Sequence, residues 1–191
     1  MTPGSFFHVI GPSGAGKDSV MAWARAASDP GRVAFAHRYI TRPALADAEN
    51  HIALSPAEFA ARRGAGWFAL DWESHGLSYG IGCEIDSWRA DGIAVVVNGS
   101  RIHLAEAAAR YPEIRPVLIT APEDIRRARL QKRNRETGPA LAERLEERFE
   151  VAHPRLVTIE NRGALAEAGE ALPAVLRGSC RCAVRTNAGR R

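Results

Sequence analysis

Between a short apolar run, Phe6-Phe7-His8-Val9-Ile10, and a stretch of good helix formers that begins at Lys17, the chain carries Gly11-Pro12-Ser13-Gly14-Ala15-Gly16-Lys17. A glycine turn in that position presents successive backbone N–H groups at the positive end of the following helix, and the G-x4-G-K spacing is that of a phosphate-binding loop. Gly11 to Gly16, with Lys17, Asp18 and Ser19, are therefore the candidate nucleotide-binding residues, and Lys17 is placed to reach the β and γ phosphates. With 17 glycines and two lysines in 191 residues, chance would produce this spacing in roughly 0.015 of such chains. The required context, a strand before it and a helix after it, is also present.

One position departs from the usual loop. The lysine is ordinarily followed by Ser or Thr, whose hydroxyl binds Mg²⁺, but here Asp18 follows and Ser19 comes one residue later. Asp18 and Ser19 are the candidate metal-binding residues. The alternative for Asp18 is a charge at the helix N-terminus, favourable to the dipole.

The rest of the chain alternates between strand and helix patterns. A strand is expected over Val33 to Ile40, then a polar connector from Thr41 to Asn50. Ser55-Pro56-Ala57-Glu58 combines a capping serine, a proline at the first helical position and a glutamate three residues after the cap, so a helix runs to about Arg63. An aromatic, strand-like region from Trp67 to Tyr79 is broken at His75-Gly76. Helices are expected over Glu84 to Ala90 and Arg101 to Arg110, and strands over Ile93 to Val97 and Arg115 to Thr120. A further helix starts after Thr120, another covers Ala140 to Ala152, a last strand Leu156 to Ile159 and a last helix Leu165 to Leu176. This alternation implies an α/β fold with a largely parallel sheet covered on both faces, in a single domain over residues 1–176. The segment from Arg177 onward lacks periodicity and reads as a disordered basic tail.

Composition narrows the class further. Apolar residues make up 46% and charged residues 25%, which excludes disordered, collagen-like and coiled-coil chains. No apolar run approaches membrane-spanning length, so a cytoplasmic protein without a membrane partner is expected. Cys83, Cys180 and Cys182 offer neither a disulfide framework nor a complete zinc ligand set. The pI of 9.3 hints at polyanionic partners. Five arginines, at 177, 181, 185, 190 and 191, fall in the last 15 residues with no acid, however, leaving 21 basic against 22 acidic groups before them. The alkaline pI is a property of the tail, and no nucleic-acid recognition motif is present.

Two further groups of residues suit phosphate chemistry. Arg126, Arg127, Arg129, Lys132, Arg133 and Arg135 precede a glycine-proline break, with Arg144 and Arg148 beyond it, and a mobile arginine-bearing lid neutralises charge during phosphoryl transfer. Interspersed glutamates make helix-face ion pairs the alternative for any single arginine. Arg38-Tyr39-Ile40-Thr41-Arg42-Pro43, followed by Glu49-Asn50-His51, supplies cations and hydrogen-bond donors fit for a phosphorylated acceptor.

In order, the loop, Ile40-Thr41-Arg42-Pro43, Tyr79-Gly80, Arg129-Leu130 leading to Arg133, Glu136 and Arg144-Leu145 resemble guanylate kinases over about residues 6 to 165. The resemblance implies a nucleoside-monophosphate-kinase fold with a core, an acceptor-binding insertion at about 38–85 and a lid at about 133–143. It also implies lid arginines Arg133 and Arg144 on the transferring phosphates, and Arg42 and Tyr79 on the acceptor phosphate. The guanine-reading glutamate would fall near Asp71 with altered spacing, and the expected Asp-x-x-Gly is replaced by Val96-Val97-Asn98-Gly99. Five other blocks, Gly16 to Ser19, His37 to Arg42, Glu49 to Ser55, His75 to Ile81 and Val97 to Arg101, are similar to ribose 1,5-bisphosphate phosphokinases, guanylate-kinase relatives of phosphonate catabolism. That resemblance implies ATP with Mg²⁺ as cofactors and ribose 1,5-bisphosphate as acceptor, with Lys17, Arg133 and Arg144 catalytic and Arg38, Arg42, His51 and Tyr79 on the sugar. A guanylate or other nucleotide kinase is the alternative, followed by a non-catalytic interaction module of the same fold. Oligomeric state is left open.

Overall fold

The computed structural model of the chain describes residues 2–43, 50–74, 76–132 and 150–178. Along these residues the elements run β1 (Phe6–Ile10), α1 (Lys17–Ala26), β2 (Val33–Phe35), β3 (Arg38–Ile40), β4 (His51–Ala53), α2 (Pro56–Gly64), β5 (Phe68–Ser74) and β6 (Leu77–Gly82). They continue with α3 (Glu84–Ala90), β7 (Ala94–Asn98), α4 (Leu104–Arg110), β8 (Arg115–Thr120), α5 (Glu123–Lys132), β9 (Val157–Glu160) and α6 (Leu165–Leu176). Five strands form one sheet in the order β2-β7-β1-β8-β9, and four form a second in the order β4-β3-β6-β5. The pairs β2–β7 and β8–β9 are parallel, and each is separated in sequence by the long, helix-bearing connection that parallel pairing needs. All five residues of β1 are buried, which explains why this central strand is an unbroken apolar run except for His8. The helix expected over Ala140 to Ala152 lies outside the described residues as far as 149 and does not extend over Glu150 to Ala152, which have no regular structure; Arg133, Arg135, Arg144, Arg148 and the tail beyond Gly178 also lie outside the described residues.

By contact the chain divides into two units, the first comprising Met1–His8 and Ser28–Ile114, the second Val9–Ala27 and Arg115–Arg191. In the first unit, the single strand expected over Val33 to Ile40 is two strands belonging to different sheets. The break falls at Ala36-His37, where the Asn50 amide donates to the carbonyls of Phe35 at 3.1 Å and Ala36 at 3.3 Å. The Arg38 N–H donates to the Asn50 carbonyl at 3.1 Å. One asparagine thus satisfies the backbone where the chain leaves the first ladder and enters the second. Directly after the segment expected to be connector comes a short strand that the sequence reading did not assign, β4, parallel to β3.

Within the second sheet β3 and β5 are antiparallel to β6, and strand alternation separates two faces. One face carries His51, Arg38, Ile81 and Leu70 in one cross-strand row and Ala53, Ile40, Tyr79 and Trp72 in the next. The other carries Ile52, Tyr39, Gly80 and Asp71. Helix α2 covers this second face. Its Ser55 cap accepts from the Glu58 N–H at 3.1 Å as the sequence pattern predicts, Phe59 stacks on Phe68 with ring centroids 4.6 Å apart, and Arg62 lies over Tyr39. Elsewhere in the unit, buried His8 meets the Ser100 carbonyl through Nε2 at 3.2 Å. A Cβ at Gly99 would collide with the His8 ring, so the turn after β7 requires glycine. The helix expected from Arg101 starts only at Leu104.

The second unit packs α1 against α6. Their approach depends on Gly169, where an added Cβ would lie 2.5 Å from the Trp23 indole. Helix α6 buries Ala168, Leu172 and Val175, and α5 buries Leu130 together with Arg126.

Candidate active site

In the second unit the chain leaves β1 through the glycine loop and enters α1 at Lys17. Gly11 is a glycine because a Cβ there would strike the Ile119 carbonyl of β8. Gly14 and Gly16 have φ of 80° and 83°, a left-handed conformation open to glycine and costly for other residues. Between them the Ala15 N–H donates to the Pro12 carbonyl at 3.2 Å. This sequence of turns winds the backbone into a concave nest at the N-terminus of α1, where the helix has no side-chain cap; unsatisfied N–H groups and the helix dipole both favour an anion there.

The loop is held from behind by its carbonyls. Arg126 Nε donates to the Ser13 carbonyl at 3.0 Å; burial lowers the pKa of this guanidinium. Arg129 donates to the Ala15 carbonyl at 3.3 Å and to Asn161 Oδ1 at 3.4 Å. The Asn161 amide donates to the same Ala15 carbonyl at 2.9 Å, and its backbone N–H donates to the Thr120 carbonyl at 2.7 Å. With Ser13 and Ala15 carbonyls occupied in this way, the loop's polarity toward a ligand is set by its N–H groups. Arg126 and Arg129, which the sequence groups with lid arginines, are loop-positioning residues here. Asn161 was not among the sequence candidates; its only signal is a polar residue directly after a strand, the place where open α/β sheets put ligand-binding groups.

Gly14, Gly16, Ser19, Arg129, Lys132, Asn161 and Leu165 line a cavity of about 440 Å³. The third residue of α1, Ser19, thus opens onto the same space as the loop glycines, and Lys132 at the end of α5 adds a cation. Asp18 is the second residue of the helix and an acidic group of its first turn. Among the described residues, no three of His, Cys, Asp and Glu come together as a self-sufficient metal site. Arg133 and Arg144 lie outside the described residues.

In the first unit, Arg38, His51 and Tyr79 share one face of the four-stranded sheet. Arg38 and His51 are direct cross-strand partners, and the Arg38 guanidinium sits 5.1 Å from the Tyr79 ring centroid. Tyr79 stacks on Trp72 at 5.5 Å, with planes 7° apart, and Trp72 on His103 at 5.9 Å. Neither Trp72 nor His103 was a sequence candidate. Arg42 follows Thr41, which extends the β3–β6 pairing: its N–H donates to the Ser78 carbonyl at 3.1 Å and its Oγ1 accepts from the Ser78 N–H at 2.8 Å. Asp71, the position nearest to a guanine-reading carboxylate, projects from the opposite face and pairs with Arg63 at 2.7 Å. Glu73, also on that face, pairs with Arg63 at 3.2 Å. The arginine face is thus free of strand carboxylates among the described residues.

A five-stranded α/β sheet whose first strand feeds a phosphate loop defines a P-loop kinase fold, and solved structures agree. The guanylate kinase from Anaplasma phagocytophilum superimposes with a TM-score of 0.63 at 14% identity, over 97% of this chain and 92% of its own. A sugar kinase from a Janibacter species reaches 0.51 at 15% identity. Sequence relatives are more particular. A ribose 1,5-bisphosphate phosphokinase PhnN from Chromobacterium violaceum is 51% identical over 179 residues, 93% of this chain and 96% of its own length. Its namesake from Desulfomicrobium baculatum is 55% identical over 174 residues, 88% and 92% of the two chains. No protein-family model matches the chain. The chain belongs to the ribose 1,5-bisphosphate phosphokinase family and is a kinase.

Proposed function

We propose that the protein transfers the γ-phosphoryl group of ATP to α-D-ribose 1,5-bisphosphate, giving 5-phospho-α-D-ribose 1-diphosphate and ADP, as a cytoplasmic enzyme of phosphonate catabolism. The observation that carries this reading is identity near 50% to ribose 1,5-bisphosphate phosphokinases along almost the whole chain, joined to a phosphate loop whose glycines and supporting hydrogen bonds are intact. The loop N–H groups cradle the ATP phosphates and Lys17 bridges β and γ. An oxygen of the acceptor's 1-phosphate attacks the γ phosphorus, the new P–O bond forms, and the bond to the β-bridging oxygen breaks with its electron pair leaving on ADP. The acceptor oxygen is already ionised at neutral pH, so no general base is needed and the rate rests on positioning and charge neutralisation. Arg133 and Arg144 neutralise the moving phosphoryl group, and Arg38, Arg42, His51 and Tyr79 hold the sugar phosphate.

Mg²⁺ fits this site as an ion shared with the nucleotide. Ser19 borders the loop cavity and Asp18 adds a carboxylate one residue earlier, while the remaining ligands would be phosphate oxygens and water, as this ion prefers. When bound it would offset phosphate charge.

A guanylate kinase is the second reading, favoured by the guanylate kinase fold neighbour. The ion pair that engages Asp71 on the opposite sheet face argues against it. An ADP-release assay with ribose 1,5-bisphosphate, GMP, AMP and dTMP separates the two. Turnover of the sugar bisphosphate well above all three nucleotides is expected; preferential turnover of GMP would overturn the assignment. Failure to bind ATP at all would point instead to a non-catalytic module of the same fold.

A further inference from the structure

A tyrosine that binds a phosphate through its hydroxyl needs its ring fixed, because that oxygen lies at the far end of a side chain free to turn about its torsions. We infer that Trp72 is a positioning residue for the acceptor: by stacking on Tyr79, and with His103 packed on the indole in turn, it aims the Tyr79 hydroxyl at the sugar phosphate. This rests on the acceptor role proposed above for Tyr79.

Strand register and ring geometry lead there together. Tyr79 lies on β6, the strand between β3 and β5, and its direct partner on β5 is Trp72. Direct partners in an antiparallel pair put their side chains on one face, with Cβ atoms about 5 Å apart. Here the two rings run almost parallel, with planes 7° apart and centroids at 5.5 Å. From β3, on the other side, the Arg38 guanidinium lies over the same tyrosine ring, 5.1 Å from its centroid. The phenol is thus flanked from both neighbouring strands, by an apolar plane and by a cation. Exposure separates support from contact: Trp72 is 5% exposed, whereas Tyr79 and Arg38 keep part of their surface open to solvent. The indole is itself packed from outside the sheet. His103, at the N-terminus of α4, stacks on it at 5.9 Å with planes 30° apart, and the His103 Nδ1 meets Glu106 Oε2 at 3.4 Å. A residue that only fills space needs the right volume, but a parallel stack needs a flat ring, since aromatic pairs have preferred relative orientations. A large aliphatic side chain at 72 would occupy the space without fixing the plane of the phenol.

A double-mutant cycle separates this role from packing. kcat, the KM values for ribose 1,5-bisphosphate and ATP, and the denaturant midpoint are measured for wild type, Trp72→Leu, Trp72→Phe and His103→Leu. Each is made with Tyr79 and with Tyr79→Phe, which keeps the ring and removes the hydroxyl. Trp72→Leu should raise the acceptor KM about tenfold, the loss of one hydrogen bond, with kcat and the ATP KM within about twofold of wild type. Trp72→Phe should bring the acceptor KM back to within about threefold of wild type, and His103→Leu should raise it about threefold. In the Tyr79→Phe background none of the three should move the acceptor KM further. A folded Trp72→Leu protein with wild-type acceptor KM, a rise of the same size with and without the Tyr79 hydroxyl, or an equal rise in the ATP KM would overturn the inference. If Trp72→Leu does not fold, His103→Leu, at a partly exposed site, decides instead: an acceptor KM unchanged, or raised equally in both backgrounds, overturns it. Wild-type protein that fails to turn over ribose 1,5-bisphosphate removes the substrate reading and this inference together. Normal turnover that depends on the Tyr79 hydroxyl but is indifferent to Trp72 removes the inference alone.

Discussion

Lys17 is one of two lysines in a chain with 24 arginines, and its place at the start of α1, directly after the left-handed Gly16, is what a phosphate-binding ammonium requires. Lys17→Ala should lower kcat/KM by orders of magnitude with an unchanged circular dichroism spectrum; near-normal turnover would contradict its role. Asn161 tests a different kind of dependence. Its amide supports the Ala15 carbonyl from a buried position, so Asn161→Ala leaves that acceptor with Arg129 alone and should cost about 1–3 kcal/mol of stability. The informative readout is ATP affinity in variants that remain folded: a loop whose shape depends on Asn161 loses nucleotide binding, and one that does not keeps it. Gly16→Ala should be more severe, because both the φ of 83° and contact with the Asn161 amide exclude a side chain. The glycines and the lysine are plain in the sequence, where their spacing is local. Asn161 is 146 residues from Ala15, and no local pattern connects them.

Elements with strong local signals form where the sequence places them. The Ser55 cap with Pro56 and Glu58 starts α2, and Ser55→Ala should lower stability by about 1 kcal/mol, read as a lower denaturant midpoint with an unchanged slope. Trp23 and Gly169 join α1 to α6, and Gly169→Val should destabilise by about 1–3 kcal/mol through overpacking, measurable by the same titration. Val33 to Ile40 shows the limit of local reading. Val33, Phe35, Tyr39 and Ile40 favour extended structure, so the pattern is one strand; the division into β2 and β3 depends on the Asn50 amide, which meets the Phe35 and Ala36 carbonyls across a sequence separation that no local pattern spans. Strand β4 is three residues long and gains its order from pairing with β3, leaving little periodicity to detect.

Across the molecule, charge behaves differently from its total. The net +4 derives from the arginines after 176, whereas the proposed phosphate chemistry draws on a few cations elsewhere, among them Lys17 at the start of α1 and Lys132 on the loop cavity. A pH titration should expose a second collective feature, the Phe6-Arg89-Tyr111-Arg110-Asp86 cluster. Tyr111 donates to Asp86 at 2.8 Å and accepts from Arg110 at 3.1 Å; burial, opposed by the Arg110 hydrogen bond and reinforced by Asp86, pushes its phenol up to about 12. Because the unfolded phenol titrates near 10, the unfolded state releases its proton first. The stabilisation from neutral Tyr111 is therefore complete below about pH 10 and is lost as pH rises through about 12. Thermal midpoints measured across that window should fall less steeply for Tyr111→Phe than for wild type. The phosphate loop, the α/β alternation and the kinship with sugar-phosphate kinases were readable in the linear chain, because each rests on residues adjacent in sequence or on a short period. The sheet switch at Asn50, the buttressing of the loop by Arg126, Arg129 and Asn161, and the placement of Arg38 and His51 opposite Asp71 were settled by the fold, because each depends on strand register and on contacts between residues far apart along the chain.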